Sequence, residues 1–171
     1  MNEIFVKYHK TEYGEFIIGS FENKICMIDW RYRKMRDSID TRISKKLNAT
    51  FVEKDNGLIE KVIVQLNEYF NLERKSFDLP LLFVGTDFQQ LVWKALIKIP
   101  YGKTATYLEL SKKINNEKAV RAVANANGAN ALSIVVPCHR IIGTNGELTG
   151  YAGGLDVKKK LLDLEKNLFT L

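Results

Sequence analysis

A chain of 171 residues, 46% hydrophobic and 27% charged, is long enough to bury a core in one ordinary domain or two small ones. That composition excludes a disordered or collagen-like protein, and two cysteines exclude a disulfide scaffold. A formal net charge of +6 tilts the partner toward a polyanion such as nucleic acid, but charge alone fits a Lys-rich face turned to water better.

Residues 1–10 lack the basic-then-apolar order of a secretory signal, and no apolar run approaches membrane-span length. The expectation is a cytoplasmic protein with no membrane contact and reduced thiols. Three strand-like runs follow, Glu3–His9, Glu15–Ser20 and Lys24–Trp30, separated by turn-prone Glu12-Tyr13-Gly14 and Glu22-Asn23. Cys26, inside the third run, reads as a small buried hydrophobe. The basic stretch Arg31–Lys46 fits a loop, a ragged helix or a solvated face, with nucleic-acid contact as a further option. Leu58, Val62, Leu66, Tyr69 and Phe70 recur at helical spacing. Ser76–Val84 contains Pro80 and reads as an edge strand or an extended linker.

A second unit opens near Thr86. Thr86 and Gln89 have capping-box spacing, and Phe88, Leu91, Val92, Ala95, Leu96 and Ile99 continue a helix that Pro100-Tyr101-Gly102 ends. Thr106 and Glu109 repeat the capping-box spacing before a short helix to Ile114. A further helix is expected from about Glu117 to Ala126, with Gly128 at its C-terminal cap. Two short helices joined by a polar turn signal a helix-turn-helix or an ordinary helical hairpin. Ser133–Val136 reads as a buried strand, and Arg140–Gly150 as a hairpin around Thr144-Asn145-Gly146. A last helix carries Leu155, Leu161, Leu162, Leu164, Glu165 and Leu168.

Cys138 stands between apolar runs and beside His139 and Arg140. A thiol becomes a useful nucleophile only as thiolate, so a neighbouring base matters. Along a strand the two side chains would point to opposite faces, whereas a turn after Pro137 brings them together. Glu165 shares a helix face with Leu161 and Leu162, and a buried carboxylate needs a partner. Either it orients His139 in a Cys138–His139–Glu165 relay, or it sits at a rim and pairs with a lysine. No C-x-x-C or H-x-x-x-H spacing exists, so no metal site is expected.

Pro137-Cys138-His139-Arg140 followed by Ile141-Ile142-Gly143 resembles the active-site signature of the O6-alkylguanine-DNA alkyltransferases, the methylated-DNA–protein-cysteine methyltransferases. The resemblance extends in order from Phe88-Gln89-Gln90-Leu91-Val92-Trp93 and Ile99-Pro100-Tyr101-Gly102 through Thr106-Tyr107, Arg121-Ala122-Val123, Ala126-Asn127-Gly128 and Asn130. It resumes at Thr149-Gly150-Tyr151-Ala152-Gly153-Gly154-Leu155 and the final Leu-Leu-x-x-Glu. It covers roughly Thr86 to Lys166; residues before that match only in size and in a meander-plus-helix pattern.

The resemblance implies an α+β fold: a small ribonuclease H-like N-terminal α/β domain, residues 1–82, then a helical winged helix-turn-helix domain, residues 86–171. It implies irreversible, stoichiometric transfer of an alkyl group from guanine O6, and from thymine O4, to the protein's own cysteine, with the base flipped from the duplex. No cofactor is implied. The partner is double-stranded DNA held through its minor groove by a monomer.

By matching position, Cys138 is the nucleophile, His139 takes its proton through a water, Glu165 orients His139, Tyr107 donates to the departing base, and Asn130 braces the cysteine loop. Arg121 enters the duplex, and Ala122, Ala126, Asn127 and Gly128 form the close-approach surface. Tyr151, Ala152 and Gly153 wall the base pocket, and the carbonyls of Cys138 and Ile141 read the guanine amino group.

Ala131 replaces a usual proline after Asn130, Leu164 a frequent histidine, and Ala152 a hydroxyl. Metal ligands of some relatives' N-terminal domains are not apparent. Three rivals are a cysteine-less damage sensor, which Cys138 opposes, a dimeric winged-helix regulator, and a multiple-turnover thiol hydrolase.

Overall fold

A computed structural model describes residues 2–166, and the chain divides into two compact units, Met1–Gly85 and Thr86–Leu171. In the first unit, β1 (Asn2–Thr11), β2 (Gly14–Phe21) and β3 (Lys24–Trp30) form an antiparallel meander. The β2–β3 turn places Glu22 and Asn23 at φ 48 and 62, the left-handed pair that a two-residue hairpin turn requires. After α1 (Arg36–Leu47), β4 (Ala49–Glu53) runs parallel to β1, giving the order β3-β2-β1-β4. α2 (Gly57–Phe70) begins at Asn56, whose side chain accepts from the Ile59 N–H at 2.8 Å. Its buried face, Ile59, Val62, Leu66, Tyr69 and Phe70, packs on the sheet. Each such aliphatic side chain contributes about 1.5–3 kcal/mol by leaving water.

The basic stretch resolves into a turn and α1. Asp29 is fully buried, and Arg33 and Arg36 turn inward to it at 3.2 and 3.0 Å. Arg31 lies over the Tyr8 ring at 3.7 Å. Part of the charge that suggested a nucleic-acid face is therefore structural. Cys26 is buried as expected, and burial pushes its thiol up to about 12. β4 was absent from the sequence-based expectation. Ser76–Val84 is neither a full edge strand nor a free linker. Leu81 makes a single parallel bridge to Ile25, with Ile25 N–H donating to Pro80 O at 2.7 Å and Leu82 N–H to Ile25 O at 2.8 Å.

In the second unit, α3 (Asp87–Ile97) opens with the expected capping box: Thr86 Oγ1 accepts from Gln89 N–H, and Gln89 Oε1 accepts from Thr86 N–H. β5 (Ala105–Thr106) leads into α4 (Tyr107–Lys113). There only the Thr106 half of the expected box forms, accepting from Glu109 N–H at 3.1 Å. Asn115, at φ 59, turns the chain into a 3-10 segment, Glu117–Ala119, and α5 (Val120–Gly128). α3, α4 and α5 pack together, and the Trp93 indole N–H donates to Ala126 O at 2.8 Å. Gly128 is the last residue of α5 rather than its cap; Ala129 caps it with right-handed geometry.

Two expected β elements are corrected. Ser133–Val136 is a tight turn, because Ile134 takes φ 71 and Ser133 bridges Val136. Residues 140–150 form no hairpin. β6 (Ile141–Ile142) instead pairs in parallel with β5, and a turn closed by Gly143 N–H to Glu147 O follows. α6 (Leu155–Glu165) buries Lys158, Leu161, Leu162, Leu164 and Glu165. Leu168, expected on this helix, lies outside the described residues. No helix of the described residues is long and apolar enough to cross a membrane.

Candidate active site

The site is assembled by the turn between α5 and β6. Asn130 is buried and spans it: its Oδ1 accepts from Leu132 N–H and its Nδ2 donates to Val136 O, both at 2.9 Å. Side-chain bonds thus replace the ladder that a strand would have used, and they hold the turn although Ala131 occupies the position of a stiffening proline. The chain then enters a 3-10 turn, Cys138–Arg140, stapled by Arg140 N–H to Pro137 O at 3.0 Å. A 3-10 turn rotates successive side chains by about a third of a revolution. Strand alternation is removed, and Cys138, His139 and Arg140 all point into the unit and are buried.

Glu165 is the centre of the charges. It accepts from His139 Nε2 at 2.7 Å, from Arg140 Nε at 2.8 Å and Nη2 at 3.0 Å, and from Gly102 N–H at 3.1 Å. Arg140 Nη1 also donates to Ile99 O at 2.7 Å, tying the turn to the end of α3. Gly102 has φ +77, and a Cβ there would lie 3.3 Å from the Glu165 backbone carbonyl oxygen, so the Pro100-Tyr101-Gly102 stop also lets its backbone approach the end of α6 closely. Of the two partners weighed for Glu165, His139 is in contact with it, and its ion pairs among the described residues are with His139 and Arg140.

Burial pushes the Glu165 carboxyl up, but the hydrogen bonds and charges of His139 and Arg140 outweigh it and hold the group far below the usual carboxylate range. His139 moves the other way from what a lone carboxylate partner would do. Burial lowers it, Glu165 opposes, Arg140 and Lys158 add to the lowering, and the ring is held below its ordinary value. The resting pair is a carboxylate and a neutral imidazole. An ionised carboxylate only accepts, so Nε2 carries the proton and Nδ1 is the basic nitrogen. Nδ1 is buried with no hydrogen-bond partner among the described residues. The Tyr151 and His139 rings meet edge to face, with centroids 6.4 Å apart.

Cys138 is 4% exposed, and neither cysteine is in a disulfide. Tyr107 opens α4, and its hydroxyl lies 3.0 Å from Thr149 Oγ1. The Cys138 carbonyl accepts from Ile141 N–H and the Ile141 carbonyl from Lys158 Nζ. Tyr151, Ala152 and Gly153 are half-buried in the turn before α6, and Leu164 is buried, as an apolar residue replacing histidine should be. Among the described residues no three His, Cys, Asp or Glu side chains converge as metal ligands would.

The expected DNA-facing set divides. Arg121, Ala122 and Gly128 are exposed, but Ala126 and Asn127 are buried, 3% and 6% exposed. Asn125 takes their place on the exposed face. Helical phase was the available signal: 121, 122, 125 and 128 share one side, opposite Val123 and Ala126. Sequence reasoning also missed Arg140 and Lys158. Lys158, Leu161, Leu162 and Glu165 have the spacing of a single helix face, so the apolar company of Glu165 extended to Lys158 as well.

Two family descriptions match the chain. Residues 87–167 match "6-O-methylguanine DNA methyltransferase, DNA binding domain", and residues 4–83 match "6-O-methylguanine DNA methyltransferase, ribonuclease-like domain". A methylated-DNA–protein-cysteine methyltransferase of Methanosarcina mazei is 52% identical over 128 residues, 75% of this chain and 80% of that protein. The constitutive methylated-DNA–protein-cysteine methyltransferase of Bacillus subtilis is 42% identical over 158 residues, 92% of each chain. The crystal structure of Mycobacterium tuberculosis OGT in complex with DNA superposes with a TM-score of 0.80 at 37% identity, covering 96% of this chain and 93% of that one. Fold and site together define a class of α+β proteins that join a helix-turn-helix to a buried histidine–glutamate–arginine cluster beside a buried cysteine. The chain belongs to the 6-O-methylguanine DNA methyltransferase family.

Proposed function

We infer that the protein repairs alkylated DNA directly, as a methylated-DNA–protein-cysteine methyltransferase that moves the alkyl group from guanine O6 to Cys138. The observation that carries the reading is a His139 held below its ordinary pKa, whose Nε2 is committed to Glu165 while its buried Nδ1 has no hydrogen-bond partner among the described residues. That nitrogen is the base the thiol needs. In the proposed reaction, His139 Nδ1 takes the Cys138 proton through a water, and Glu165 balances the imidazolium that forms. The thiolate attacks the alkyl carbon, the S–C bond forms, and the C–O6 bond breaks. Its electron pair leaves with guanine, whose charge the Tyr107 hydroxyl stabilises and a proton neutralises. The thioether does not revert, so each protein acts once.

An O6-alkyl carbon is shielded inside the duplex, so the nucleotide is flipped out, at a cost of a few kcal/mol. Arg121, entering the stack from a minor-groove approach of α5, offsets part of that cost. Tyr151, Ala152 and Gly153 wall the pocket, and the Cys138 and Ile141 carbonyls accept from the guanine amino group. The same reading includes O4-alkylthymine as a substrate, a monomer in the cytoplasm, no cofactor, a ribonuclease H-like domain over residues 1–82 and a winged helix-turn-helix domain over residues 86–171.

Mass spectrometry after mixing with a duplex bearing O6-methylguanine tests the reading. One methyl on the Cys138 peptide, saturating at equimolar protein, is expected. Cys138→Ser should retain binding to the alkylated duplex and lose transfer. Demethylation beyond one equivalent, or a methyl on another residue, would overturn the proposal.

A further inference from the structure

Lys158 has no role in the reaction above, yet it is fully buried on the face of α6 that also carries Leu161, Leu162 and Glu165. Lysine is almost never buried without partners, because its charge must be compensated. Its Nζ donates to two backbone carbonyls, those of Ile141 and Thr149. They belong to different segments. Ile141 directly follows the cysteine turn, and Thr149 lies in the loop leading to Tyr151, where its hydroxyl pairs with Tyr107. A single ammonium therefore ties the nucleophile's turn to the loop that holds the two aromatic residues of the site.

We propose that Lys158 is a positioning residue for alkyl transfer: its buried ammonium holds the Thr149 loop against the cysteine turn and favours Cys138 as thiolate. The inference rests on the alkyltransferase reading. Among the described residues, the titratable groups that interact electrostatically with Lys158 are Cys138 and His139, both on the cysteine turn. Ile141 and Thr149 offer it only carbonyls. Glu165, two turns along the same helix, is engaged by His139 and Arg140, and Tyr107 reaches it only through Thr149. Burial lowers Lys158 to about 8, with Cys138 pulling the other way. A thiolate that favours the ammonium is equally favoured by it, and the mutual effect fades as pH rises through about 8.

The full chain and its Lys158→Met and Lys158→Arg variants are compared by single-turnover methyl transfer and by peptide-resolved iodoacetamide labelling of Cys138 across pH. The Cys26 peptide serves as the unreactive control. In K158M the Cys138 titration should move up by about one pH unit, equivalent to about tenfold slower transfer at neutral pH. The wild-type advantage should shrink above about pH 8, as Lys158 loses its charge. K158R keeps the charge throughout, so its deficit should be constant below about pH 8 and narrow above it, where wild type loses its ammonium. An unchanged Cys138 titration, or a K158M deficit constant across pH, would reduce Lys158 to scaffolding and overturn the inference.

Carbon-13 titration of the Lys158 amine in the wild type, before and after Cys138 is alkylated, needs no variant to fold. Its pKa should fall once the thiolate is gone, and an unshifted amine overturns the inference. Wild-type protein that transfers no methyl at any pH overturns the alkyltransferase reading together with this one. A failure confined to the variants or to the amine titration overturns this one alone.

Discussion

Glu165→Gln preserves shape and removes one charge from the centre of the buried cluster. Arg140, 6% exposed and held to Glu165 through Nε and Nη2, is then left without its carboxylate. Removing one member of a buried ion pair costs about 3–5 kcal/mol, because the other charge stays buried. The amide also offers donors where the carboxylate accepted from Gly102 N–H, His139 and Arg140. A loss of that size is a large share of a total stability of about 5–15 kcal/mol.

The pH dependence should change with it. Glu165 is depressed in the folded state, so its contribution is complete above the unfolded value near 4.3 and is lost as pH falls through the folded one. His139 is depressed too, so its contribution is complete above about 6.5 and is lost on acidification below that. E165Q should lose the acid-limb component below about pH 4 and keep the one that begins near 6.5. Urea unfolding at a series of pH values measures both. Transfer should also slow by about 10- to 100-fold, the value of one charge-assisted hydrogen bond to the imidazolium. A variant with the wild-type urea midpoint, acid profile and transfer rate would show that Glu165 does not carry the charge balance described.

Asn130→Ala leaves Val136 O and Leu132 N–H without their side-chain partner in a buried turn, at about 1–3 kcal/mol each. Single-turnover transfer should drop sharply while affinity for undamaged duplex is kept; equal loss of both would mean that the whole unit, rather than the turn, had failed. Trp93→Phe removes the indole bond to Ala126 O and should destabilise the unit by about 1–3 kcal/mol in denaturant melts. Exposed Arg121→Ala should leave stability within about 0.5 kcal/mol of wild type but weaken transfer from duplex more than from the free alkylated base. Equal transfer from both would remove Arg121 from the duplex-opening role.

The sequence was most informative where a contact closes within a few residues. The Thr86–Gln89 box, the Asn23 turn and the apolar spacing of α2 are local choices of propensity and capping, and they form as read. The sequence misled where an apolar run was taken for a strand. Ser133–Val136 has strand composition, but Asn130 pulls both ends of the segment together and forces Ile134 to φ 71. β4 went unseen because its ladder is to β1, with partners 47 residues earlier in the chain.

The resemblance carried by the ordered motifs singled out Cys138, His139 and Glu165, and in the structure His139 and Glu165 meet. What the sequence could not determine is where each charge resides. Packing α6 against the cysteine turn brings Arg140 and His139 onto one carboxylate and leaves Nδ1 as the basic nitrogen. The same packing turns Lys158 inward and Ala126 and Asn127 away from solvent. Residue identity supplies the reactive groups, but protonation state depends on desolvation and on neighbours distant in sequence, and those exist only once the chain has folded.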